Sequence, residues 1–114
     1  MKKERRIPVD EFLQFKPIRQ EYEWVEDDQG YVVIKVPKFT TKLGKSFCNL
    51  IKKDQIFEAN MDEIGSLVWK MSTGKHTVKD ILKELEKHHK NETDLDQRLF
   101  LFLQQMKSLN YINY

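Results

Sequence analysis

The run from Asn60 to Ile81 reads Asn-Met-Asp-Glu-Ile-Gly-Ser-Leu-Val-Trp-Lys-Met-Ser-Thr-Gly-Lys-His-Thr-Val-Lys-Asp-Ile. It constrains the fold more than any other stretch, because it predicts a helix, a tight glycine turn and a second capped helix. Ile64, Leu67, Val68 and Met71 recur at helical spacing and make a stripe to bury. Asn60 is the expected N-cap, with Glu63 reaching back to it. Gly74 is expected to end the first helix. Thr77 and Asp80 form an approximate capping box for the second, whose Val78, Ile81, Leu82 and Leu85 face inward. The run holds no catalytic constellation. It points to a docking or recognition domain with no enzymatic activity and no cofactor.

The segments before this run supply strands. Glu21 to Asp28 has five acids and no base, with Tyr22, Trp24 and Val25 suited to a strand. Asp27-Asp28-Gln29-Gly30 is a turn. Tyr31 to Val36 is the strongest strand, rich in β-branched residues and stopped by Pro37. The two strands make a hairpin. Lys38 to Lys53 carries five lysines and no acid. Leu43, Phe47, Leu50 and Ile51 mark one face of a short helix there. Gln55 to Ala59 reads as a third strand, and its position after a long connection leaves one edge available to an extended peptide.

A last helix follows, with Thr93 as the expected cap and Leu95, Leu99, Phe102, Met106 and Leu109 as the inward stripe. Within it, Leu99-Phe100-Leu101-Phe102-Leu103 is apolar all round. Phe100 and Leu101 therefore have to meet the N-terminal segment, a partner groove or a second copy in a homodimer. The sum is an α+β domain over residues 21–114, preceded by an N-terminal segment, 1–20. Three strands come first and three helices follow, with a short extra helix before the third strand.

Composition narrows the function classes. The 114 residues suit a single domain, and the net charge of +2 does not select nucleic acid. Cys48 is the lone cysteine, so no internal disulfide forms. No apolar run follows the basic N-terminus, and none approaches the length of a membrane span. The expected location is the cytoplasm, away from any membrane. His88 and His89 are adjacent on a helix and diverge by about 100°, which disfavours a shared metal. Glu26-Asp27-Asp28 reads as a solvated turn. Cys48 has no histidine near it in sequence and reads as a small apolar filler. The helix-turn-helix pattern raises a DNA-binding regulator as the alternative, with the second helix as reader. That helix mixes Lys79, Lys83, Lys87 and Lys90 with Asp80, Glu84 and Glu86, a poor surface for phosphates.

Met61 to Trp69, followed by Gly74-x-x-Thr77-Val78-x-x-Ile81, resembles the PqqD family. The similarity extends to Val36-Pro37-Lys38-Phe39 and to Gln97-Arg98-Leu99-x-x-Phe102-Leu103, covering roughly residues 22–112. These are small recognition domains for ribosomally made, post-translationally modified peptides. The resemblance implies a winged helix-turn-helix-like fold. It also implies capture of the leader segment of a precursor peptide and its delivery to a modifying enzyme, often a radical S-adenosylmethionine enzyme. In the family the leader adds as a strand beside the third strand and packs on the third helix. Carried over, the peptide-binding residues are Gln55, Ile56, Phe57, Glu58 and Ala59 with Arg98, Leu101 and Gln105.

Overall fold

The computed structural model describes residues 7–37 and 56–114. The short helix expected within 38–53 lies outside them. The chain is mixed α+β. In order it forms α1 (Val9–Phe12), β1 (Ile18–Arg19), β2 (Glu23–Glu26), β3 (Val32–Pro37) and β4 (Ile56–Asn60). Then come α2 (Glu63–Met71), α3 (Val78–His88), α4 (Leu95–Ser108) and β5 (Ile112–Asn113). The expected order is corrected at both ends, since a short helix opens the described chain and a strand closes it. Two compact units result. One joins the residues up to Gln20 to those from Leu67 onward; the other runs from Glu21 to Ser66.

The Glu21–Ser66 unit holds an antiparallel sheet in the order β2-β3-β4. Asp27 closes the hairpin, its Oδ1 accepting from the Gln29 and Tyr31 amides at 2.9 Å each. Gly30 takes a φ of +83°, which glycine adopts without strain. β3 is the buried strand, with Val32, Val33 and Ile34 all in the core. Successive strand residues face opposite sides, so the first half of β3 is buried on both faces, while Lys35, Val36 and Pro37 are half-buried.

The first long helix starts later than Asn60. Asn60 still pairs with Val33, and the Met61 amide donates to the Val32 carbonyl at 2.8 Å. The ladder therefore holds the backbone extended to this point, and Asp62 takes over as cap. Its Oδ1 accepts from the Gly65 amide at 2.7 Å. Ser66 is buried, and its Oγ accepts from the Val32 amide at 2.7 Å.

In the other unit α3 and α4 pack together, and α4 packs on β5. β1 pairs with β5 and bridges Thr73 through Ile18. Val68 and Trp69 are fully buried, whereas Leu67 and Met71 are only half-buried, so the expected stripe rotates toward the tryptophan. Gly74 lies three residues past the end of α2, so it serves the turn and does not end the helix. Its φ is +83°, its amide donates to the Pro17 carbonyl at 2.8 Å, and a Cβ there would sit 3.4 Å from Ile18 Cδ1.

The α4 expectations also change. Asp94, not Thr93, precedes the helix, in the left-handed region at φ 58° and without a side-chain cap bond. Leu95, Leu99, Leu103 and Met106 are buried, Phe102 is half-buried and Leu109 is exposed. Leu109 loses its place because the helix ends there. Asn110 turns left-handed at φ 63°, the Tyr111 amide bonds the Met106 carbonyl and the Asn110 amide bonds that of Lys107. This Schellman closure brings Tyr111 and Ile112 into the core instead.

Candidate functional site

Among the described residues β4 is one of the two edge strands of its sheet, the other being β2. The register pairs Phe57 with Val36, Glu58 with Lys35, Ala59 with Ile34 and Asn60 with Val33. The Met61 amide bonds the Val32 carbonyl, which fixes the phase of the ladder. Antiparallel pairs alternate between bonded and non-bonded. Ala59 and Phe57 are therefore bonded to β3, and the N–H and C=O groups of Glu58 and Asn60 point to the outer side. Pro37, which lacks an N–H, falls opposite Ile56 in a non-bonded pair, as this phase requires. No strand among the described residues pairs with that outer side. Phe57 is 46% exposed and Glu58 is exposed; Ala59 is half-buried.

The remaining expected site residues lie on α4, in the other unit. Arg98, Leu101 and Gln105 follow helical spacing at i, i+3 and i+7, and all three are exposed. Leu101 is 57% exposed. Arg98 donates Nη1 to Glu92 Oε1 at 2.6 Å. That bond is the main reason the Glu92 carboxyl is held below its ordinary range. Phe100 has a different fate. Its ring meets the Phe12 ring edge-on at a centroid distance of 4.9 Å, so the N-terminal segment covers it. Gln55 lies outside the described residues.

The N-terminus of α3 is saturated. The Val78 amide donates to the Phe15 carbonyl at 2.8 Å and the Lys79 amide to the Leu13 carbonyl at 3.1 Å. The Asp80 amide donates to Thr77 Oγ1, while the Thr77 amide donates to Asp80 Oδ2, both at 3.1 Å. The Thr77 backbone bond, followed by its hydroxyl, lowers the Asp80 carboxyl below its ordinary value. A reading helix commonly offers such amides to phosphate. Here the chain's own N-terminal segment and capping box take them.

Among the described residues no three histidine, cysteine or acidic side chains gather as a metal site. His88 pairs with Glu84 at 3.1 Å on an exposed face, and His89 Nδ1 lies 3.7 Å from Glu92. Cys48 is outside the described residues. No helix among the described residues is long and apolar enough to cross a membrane. No protein-family profile matches this chain, and neither curated proteins nor solved structures yield a similar one.

Sequence reasoning missed the cross-strand row through Glu23, Lys35 and Glu58, in which Lys35 Nζ lies 3.3 Å from Glu58 Oε2. The hairpin turn sets Glu23 opposite Lys35, and Glu58 joins the row only once the β3–β4 register is known.

Proposed function

We propose that this chain is a peptide-recognition domain of the PqqD type. It captures the leader segment of a precursor peptide by strand addition to β4 and presents it to a modifying enzyme, of the radical S-adenosylmethionine class. The chain itself does no chemistry in this reading. The finer fold assignment belongs with it: the β2-β3-β4 meander serves as the wing, and α2, the turn at Gly74 and α3 serve as the helix-turn-helix.

One observation carries the reading. Glu58 and Asn60 present two donors and two acceptors along an edge that no described strand occupies. An extended peptide satisfies such groups through main-chain bonds. Each bond contributes about 1 kcal/mol net, so four give roughly 4 kcal/mol. A 1 μM dissociation constant needs about 8 kcal/mol, and ordering the peptide offsets several more. Side-chain anchors must supply the rest. Phe57 is one candidate, and Arg98, Leu101 and Gln105 are tested as a separate contribution.

The test is fluorescence anisotropy with labelled peptides made from any short reading frames found beside the gene. Binding in the micromolar range that is lost in Glu58→Pro supports the reading. The proline removes an outward donor and leaves the β3–β4 bonds in place. No binding at tens of micromolar refutes it.

A further inference from the structure

The geometry points to a guest strand that places a lysine or arginine opposite Glu58, flanked on both sides by apolar residues. This rests on the strand-addition reading and narrows its substrate class. Glu23, Lys35 and Glu58 are register partners, so their side chains share one sheet face in a single row of alternating sign. Lys35 is the only base in that row and lies 3.3 Å from Glu58. The row ends at the edge on a carboxylate whose side chain is 54% exposed. One more strand would add the next position, and a cation there continues the alternation; directly opposed charges attract across strands and like charges repel.

The neighbouring rows differ. Trp24, Ile34 and Ala59 share a row on the opposite face, and Val36 and Phe57 share the next. Guest residues on either side of the cation project to that apolar face. The pattern apolar-basic-apolar is the same in both directions, so it holds for either orientation of the peptide. The wider charge agrees. Over residues 21–66 the sequence has nine carboxylates against six lysines, a net negative charge.

Selection of a random displayed-peptide library on the full chain tests this, followed by anisotropy with synthetic copies of the selected peptides. Binders should be enriched in the apolar-basic-apolar pattern. Changing the central lysine to glutamate should weaken binding about threefold to tenfold, as opposed cross-strand charges allow. The Glu58→Gln chain, checked for folding by circular dichroism, should erase most of that difference. Binders that are lost in Glu58→Pro yet show no charge preference overturn the charge rule and leave strand addition standing. No binders, or binders indifferent to Glu58→Pro, overturn both.

Discussion

Arg19 Nη1 donates to the carbonyls of both Trp69 and Lys70, at 3.0 Å each, and its guanidinium lies 5.9 Å from the Trp69 ring centre. A cation from near the start of the chain thus satisfies carbonyls at the C-terminal end of α2, where the dipole favours positive charge. Replacing Arg19 by alanine leaves partly buried carbonyls without this donor. The expected cost is about 2 kcal/mol in urea unfolding, in the range for bonds to charged groups. Arg19→Lys should recover only part of it, because an ammonium lacks the planar, multi-donor fork of the guanidinium.

The Thr77–Asp80 capping box predicts a pH dependence. Asp80 is lowered in the folded chain, so its contribution is fully present above the ordinary carboxylate range and lost as pH falls through the folded value. The stability gap between the native chain and Asp80→Ala should therefore shrink in acid. Thermal melts of both proteins across an acid pH series measure this. A gap independent of pH would show that the carboxylate is not the working group. Thr77→Ala, which removes the hydroxyl acceptor, should cost about 1 kcal/mol at neutral pH.

Phe12 joins the two ends of its unit. It is 5% exposed and meets Phe15, Phe100 and Tyr114 edge-on at 5.8, 4.9 and 5.4 Å. Phe12→Ala should cost about 3 kcal/mol. It should also speed hydrogen exchange at Val78 and Lys79, whose amides bond the Phe15 and Leu13 carbonyls. Exchange there at the native rate would mean the segment stays docked without the ring.

Leu101 offers the contrast. At 57% exposure it contributes little to the fold, so Leu101→Asp should shift stability by no more than about 0.5 kcal/mol. If α4 supplies an anchor, the same change weakens peptide binding. Binding unchanged in a folded Leu101→Asp chain removes α4 from the site.

Local chemistry was the legible part of this fold. Thr77 with Asp80, the Asp27–Gly30 turn and the β-branched run of β3 each declare themselves within a few residues. What escaped depends on distant partners. Asn60 looks like a cap until the ladder with Val33 claims it. Leu109 looks like a core residue until the chain reverses at Asn110 and Tyr111 replaces it. The β1–β5 pair is two residues long on each side and carries no period to read. The same holds for the candidate site. Apolar excess flagged Phe100 and Leu101 together, but only the contact with Phe12 separates a covered ring from an exposed leucine. An open third-strand edge was expected from order alone, while its outward residues, Glu58 and Asn60, follow from register.

Residue-resolved amide exchange, with and without a peptide selected on the full chain from the displayed library, tests strand addition most directly. The register predicts that binding slows exchange at Glu58 and Asn60, while Phe57 and Ala59, already bonded to β3, change little. A bound peptide that leaves Glu58 and Asn60 exchanging at their free rate would contradict the account.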